Sequence, residues 1–160
     1  MLRFLINPVR SVSDLEAILL LFNAYASSLT VDLAYQDFSR ELADMPGKYA
    51  PPAGELLLAR DARNGEAMGC VGLRPLETNG CCEMKRLYVA PHARGIALGK
   101  ALVSAVIQEA TRIGYREIRL DTMPTMIAAI ALYRQAGFVE IDAYYDTPVG
   151  CTTFMAQPLG

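Results

Sequence analysis

Between Cys81 and Ile113 the chain changes its apolar period once, across a very short connection. Cys81 to Val89 reads as an extended run entered from the Thr78-Asn79-Gly80 turn, and Pro91 ends it. From Leu98 the apolar positions Leu98, Leu102, Val106, Ala110 and Ile113 follow helical spacing, and Gly114 supplies the stop. The loop between them is rich in small residues: Ala93-Arg94-Gly95-Ile96-Ala97-Leu98-Gly99-Lys100. The first turn of a helix leaves backbone N–H groups unpaired. Together with the helix dipole they form an anion site that needs no side chain. Gly95, Ala97 and Gly99 keep the approach open, and Arg94 and Lys100 add positive charge.

Phosphate is the natural anion for such a loop, but the nucleotide motifs do not fit. The P-loop needs four residues between its glycines, then Lys and a hydroxyl residue; here three residues separate Gly95 from Gly99, and Ala101 has no hydroxyl. Ala97 and Leu98 break the G-x-G-x-x-G dinucleotide fingerprint. The charge distribution points the same way. Residues 83–100 hold Lys85, Arg86, Arg94 and Lys100 against Glu83 alone, +3 in a chain whose net charge is −2. One positive island in an acidic chain suits a small polyanion and speaks against a nucleic acid or a ribosomal partner. No apolar run reaches the ~18 residues of a membrane helix.

A chain of 160 residues, 52% hydrophobic and 20% charged, has the composition of one ordinary globular domain. The pattern predicts a strand at Arg3–Ile6, a helix from a Ser13 cap through Tyr25 and a second helix over Tyr35–Ala43. A hairpin follows from Leu56–Ala59 through the Asn64-Gly65 turn to Ala67–Leu73. After the long helix come a strand at Ile118–Leu120, a helix over Thr125–Gln135 and closing strands at Phe138–Tyr145 and Cys151–Met155. The order β-α-α-β-β-β-α-β-α-β-β mixes hairpins with crossover helices around one sheet. Cys70, Cys81, Cys82 and Cys151 follow no secretory leader, and His92 is the only histidine, so reduced core thiols, no metal site and a cytoplasmic location are expected.

Three segments resemble the GNAT superfamily of acetyl-CoA-dependent N-acetyltransferases. Arg94-Gly95-Ile96-Ala97-Leu98-Gly99 is similar to that family's R-G-x-G-x-G/A pyrophosphate loop. Met84 to Pro91 resembles its fourth strand, and Ala131-Leu132-Tyr133-Arg134-Gln135-Ala136-Gly137-Phe138 its L-Y-x-x-x-G-F signature. The resemblance implies a single N-acetyltransferase domain over residues 1–160, with a mixed, mostly antiparallel sheet flanked by helices. It implies acetyl-CoA as cosubstrate and direct attack by a primary amine of a small molecule or peptide. The cofactor set it implies is the main chain of Leu87, Tyr88 and Val89, the loop Arg94, Gly95, Ile96, Ala97, Leu98, Gly99 and Lys100, then Met126 and Tyr133. Ala97 stands where the family has glycine, and alanine suits a helical N-terminus. Met126 stands where many members carry an asparagine that holds the pantetheine.

Tyr133 matches the family's general acid, although a core tyrosine beside Ala129 and Ile130 has the same signature. Glu83 is the base candidate: period-2 alternation places Glu83, Lys85, Leu87 and Val89 on one face. A salt bridge to Lys85 or Arg86 would explain it equally well. Asp121 is the second choice of base, and His92 reads as a phosphate contact or plain surface. Asp32, Tyr35, Gln36, Asp37 and Glu41 fall on the family's usual acceptor wall, with Tyr144, Tyr145 and Asp146 closing over it. Acid plus aromatic suits a cationic amine. A non-catalytic acyl-CoA sensor on the same fold is the rival reading, and a homodimer is expected from the apolar closing strands.

Overall fold

The computed structural model describes residues 3–160. Its strands are Phe4–Pro8 (β1), Glu55–Asp61 (β2), Ala67–Pro75 (β3), Cys81–Val89 (β4), Glu117–Thr122 (β5), Val139–Ile141 (β6) and Thr153–Pro158 (β7). Its helices are Val12–Ser28 (α1), Phe38–Ala43 (α2), Leu98–Ile113 (α3) and Ile127–Gln135 (α4), with single 3-10 turns at Leu33–Gln36, Gly47–Tyr49 and Pro91–Ala93. The strands form one sheet in the order β1-β2-β3-β4-β5-β7-β6. Neighbours are antiparallel except β4 and β5, which the α3 crossover makes parallel.

Alternation in β2 divides the core in two. Leu57 and Ala59 join Val71, Leu73, Ile118 and the α3 stripe of Leu98, Leu102, Val106 and Ala110 on one face. Leu56 and Leu58 join Cys70, Tyr49 and the α1 residues Ile18, Leu21 and Phe22 on the other. Helices therefore cover both faces of the sheet.

Several expected boundaries move, each for a local reason. The α1 cap is Ser11, whose Oγ accepts from the Asp14 N–H at 3.0 Å, so the helix starts before Ser13. The helix expected over Tyr35–Ala43 is broken. Asp32 closes a tight turn by accepting from the Ala34 N–H at 2.9 Å, and Asp37 takes a left-handed φ of 55° before α2 begins. The closing strands are shorter than expected at Phe138–Tyr145 and shifted at Cys151–Met155. Tyr144 and Tyr145 leave the sheet to pack edge-on against Phe154. Cys151 is exposed at a φ of 63°, so only Cys70, Cys81 and Cys82 are core thiols.

The largest departure is a bulge in β4. Gly72 pairs with Lys85 and Cys70 with Tyr88, which leaves Arg86 and Leu87 together opposite Val71; Arg86 has a φ of 60°. The extra residue inverts the alternation. Glu83 and Lys85 face away from α3, whereas Leu87 and Val89 pack with Met84 into the α3 cluster. The single face expected for Glu83, Lys85, Leu87 and Val89 does not exist. Arg86, turned toward the α1 side, binds Glu41 through Nε and Nη2 at 3.1 and 3.0 Å and Gln36 at 2.8 Å, and lies over the Phe38 ring. This buried pair docks α2 on the sheet.

The residue before α3 is Ala97, at φ 61° and ψ 23°, and no side chain caps the helix. Alanine here is left-handed rather than helical, which costs an L-residue about 1–2 kcal/mol. Glycine removes that cost while loosening the unfolded chain. Ala97→Gly is therefore expected to raise stability by about 0.5–1 kcal/mol, seen as a higher urea midpoint. Glu41→Ala strands the buried Arg86 charge and is expected to lower stability by about 3–5 kcal/mol in the same assay.

Candidate active site

β4 and β5 are paired only at Cys81↔Glu117, Cys82↔Ile118 and Glu83↔Arg119. Past Glu83 the two strands separate, because the bulge turns β4 away. The gap is a narrow cleft of about 60 Å³ lined by Lys85, Arg86, Leu87, Asp121, Met126 and Tyr133, with Tyr25 and Tyr35 on the α1 side. The β5-facing edge of Leu87, Tyr88 and Val89 has no strand partner among the described residues.

The uncapped start of α3 lies at the same end of the cleft. A Cβ built on Gly99 would meet Leu132 at 3.3 Å and Val89 at 3.8 Å. Gly99 thus seats the helix against β4 and α4 rather than keeping an approach clear. Gly95, at φ 86°, faces open space, and there the approach is free. Arg94 and Lys100 are exposed beside it, and the Arg94 Nε donates to the Val89 carbonyl at 3.2 Å. Ile96 is half-buried, and Leu98 belongs to the core. Only two of the four cations in the positive island serve this loop, since Lys85 and Arg86 are buried in ion pairs with Asp121 and Glu41. Exposed N–H groups with two flanking cations fit a diphosphate. His92 is exposed and reaches toward Glu66 at 3.6 Å, so it takes no part in the cleft.

Tyr133 is 6% exposed and packs edge-on against Phe138. Its hydroxyl has no hydrogen-bond partner among the described residues and opens on the cleft. Burial pushes this phenol above the ordinary tyrosine value, so it keeps its proton at neutral pH. Burial also pushes the neighbouring Tyr25 up to about 12. Tyr25 meets Tyr88 edge-on, 6.2 Å between ring centres, so the Tyr88 side chain points toward α1 and leaves its main chain to the cleft.

The two candidate bases occupy different positions. Glu83 is 1% exposed; Oε1 accepts from Arg74 at 2.9 Å and Oε2 from the Tyr144 hydroxyl. It borders a second pocket of about 360 Å³, lined also by Tyr35, Gln36, Lys85, Arg119 and Tyr145. Asp121, one residue before the end of β5, lies inside the cleft 3.5 Å from the Lys85 Nζ and accepts from the Tyr145 hydroxyl. Burial raises the Asp121 carboxyl, but Lys85 and the Tyr145 hydroxyl outweigh it and hold the group below the usual carboxylate range. Burial dominates at Lys85 and lowers its ammonium from the ordinary lysine value. Of the acceptor-wall residues, Tyr35 and Gln36 line both cavities, whereas Asp32 is an exposed cap outside them. Glu41 is bound by Arg86 and by the Tyr49 hydroxyl at 3.0 Å.

The spacing argument missed Arg74, Lys85 and Arg119 as site residues. Arg119 was open to detection, because Ile118, Leu120 and Thr122 alternate with Arg119 and Asp121, so the two charged residues share a face.

The sequence profile of the acetyltransferase (GNAT) family matches residues 18–138. An uncharacterised N-acetyltransferase of Schizosaccharomyces pombe is 41% identical over 150 residues, spanning 94% of this chain and 91% of its own length. A solved acetyltransferase of the GNAT family from Staphylococcus aureus superposes with a TM-score of 0.76 at 23% identity, covering 98% of this chain and all of the other. A Salmonella typhimurium protein solved with its cofactor acetyl-CoA shares the fold, with a TM-score of 0.72 at 22% identity over 99% of this chain and 95% of its own. Uncapped helix, parted strands and tyrosine-floored cleft, found together with these likenesses, make the chain a member of the GNAT family of acetyltransferases.

Proposed function

We propose that residues 1–160 act as one domain that transfers the acetyl group of acetyl-CoA to a primary amine of a small molecule or peptide, by direct attack with both substrates bound. The observation that carries this reading is the Tyr133 hydroxyl, without a partner among the described residues, in the gap between β4 and β5, with the uncapped α3 N-terminus packed against Val89 and Leu132 beside it. The cosubstrate supplies an activated acetyl thioester; everything else falls to the chain.

The N–H groups at the start of α3, with Arg94, Gly95, Ile96, Ala97, Gly99 and Lys100, hold the diphosphate, and Leu98 anchors the helix in the core. Leu87, Tyr88 and Val89 offer their free edge to the pantetheine amides as a missing strand would. Met126, at the head of α4, contributes only apolar contact there. A main-chain N–H on the parted edge of β4 faces the thioester oxygen as charge develops on it.

Two protons must move. Tyr133 donates its hydroxyl proton to the departing thiolate, for which a phenol kept protonated by burial is suited. A lysine-type amine is about one part in 2,500 unprotonated at pH 7, so a base is needed. Glu83, on the acceptor side, takes that proton through a water at Oε2, which accepts only from Tyr144 and keeps a second lone pair, whereas Oε1 is occupied by Nε and Nη2 of Arg74. Asp121 orients Lys85 and Tyr145 around the incoming amine.

Calorimetric titration with acetyl-CoA and thiol release over a panel of amines test the whole reading. Heat without turnover on any amine favours the sensor function instead. Tyr133→Phe is expected to lower kcat by roughly ten- to a thousandfold with acetyl-CoA affinity unchanged; an unchanged kcat removes Tyr133 from the mechanism. Glu83→Gln is expected to lower kcat/KM about a hundredfold and to remove the acidic limb of its pH profile. A limb that survives in Glu83→Gln moves the proton acceptor to Asp121.

A further inference from the structure

Acids beside aromatics on the acceptor wall suggest a cationic amine, but the folded acids are engaged elsewhere. Asp32 caps its own turn, and Glu41 is held by Arg86 and Tyr49. The walls of the 360 Å³ pocket are cationic instead, built from Arg74, Lys85 and Arg119. Lys85 and Arg119 find their carboxylates, Asp121 and Glu117, outside that pocket's lining. Glu83 lies within it, but its charge is already paired with Arg74 through Oε1, and Oε2 accepts from Tyr144. The other two acids, Glu77 and Asp146, are exposed at the rim.

Arg119 is held at one end only. Its Nε donates to Glu117 and its guanidinium lies over the Tyr144 ring, 5.4 Å from the centre. The two terminal nitrogens have no protein partner among the described residues, although the side chain is only 19% exposed. Arg74 likewise uses Nε and Nη2 on Glu83 and keeps Nη1 free. A planar fork with two free donors, fixed by a ring beneath it, matches one chemical group well, a carboxylate.

Resting on the acetyl-transfer reading, we infer that the acceptor is an amine that itself carries a carboxylate, held by Arg119 with Arg74 beside it while the amine points past Lys85 toward the cleft. Lys85 lines both cavities and so marks the passage between them. A polyamine would have to pass three cations to reach the thioester, and a zwitterion places its negative end among them.

The test pairs each of a panel of free amino acids with its own carboxamide, and adds spermidine, in a thiol-release assay with acetyl-CoA. The acids are expected to exceed their amides in kcat/KM by about tenfold or more through KM. Arg119→Gln is expected to collapse that ratio toward one, and Arg119→Lys to restore part of it. Amides or spermidine acetylated as well as the acids, or a preference that survives in Arg119→Gln, overturns the inference and leaves acetyl transfer standing. Thiol release on none of these amines also overturns the inference, and release on a peptide amine in the same assay then still supports acetyl transfer.

Discussion

The conformation of Arg86 governs the rest of this structure. One residue at a φ of 60° adds a place to β4, and the alternation of the strand inverts after it. Because of that inversion Leu87 and Val89 can anchor α3 while Glu83 and Lys85 look the other way into the second pocket. The same residue turns β4 from β5 after three registered pairs, which opens the cleft and frees the main chain of its far half. An unbroken strand would have kept pairing with β5 beyond Glu83 and closed the cleft between them.

A left-handed arginine is unfavourable, and its side chain shows what holds it there. The guanidinium is 2% exposed and sits in a cage of Glu41, Gln36 and the Phe38 ring. Burying a charge is tolerated only with partners at this quality of geometry. Thus the ion pair that docks α2 is also the restraint on the bulge, so the acceptor-side elements and the cleft are stabilised together. α2 cannot drift without loosening the strand that shapes the cleft.

The parts that were legible in the sequence were those set by neighbours along the chain. The α3 stripe, the Gly114 stop, the β4 limits and the small-residue loop are all short-range patterns, and the structure places them within a residue or two. The bulge was not legible, because nothing in Lys85-Arg86-Leu87 differs locally from an ordinary alternating strand; its cause is Glu41, 45 residues away. The positive island failed for the same reason. Four adjacent cations counted as one patch, yet Lys85 and Arg86 find acids from β5 and α2 and vanish from the surface. Charge summed along a chain says little about charge presented by a fold when half of it is paired across the sheet.

Gln36 shows how the site is tied together. Its Oε1 accepts from Lys85 at 3.1 Å and from Arg86 at 2.8 Å, while its Nε2 donates to the Tyr35 hydroxyl at 2.8 Å. A neutral amide between two buried cations lets them approach the same carbonyl without a further carboxylate. This depends on the break at Asp37: a continuous helix through Tyr35–Ala43 would carry Gln36 and Glu41 on one rotation, five residues and about 500° apart. The left-handed step resets that phase, so that the amide and the carboxylate reach one guanidinium from two directions. The short polar side chain of Asp37 makes the step tolerable, and a residue that looked like an acceptor-binding acid is therefore a hinge in the backbone.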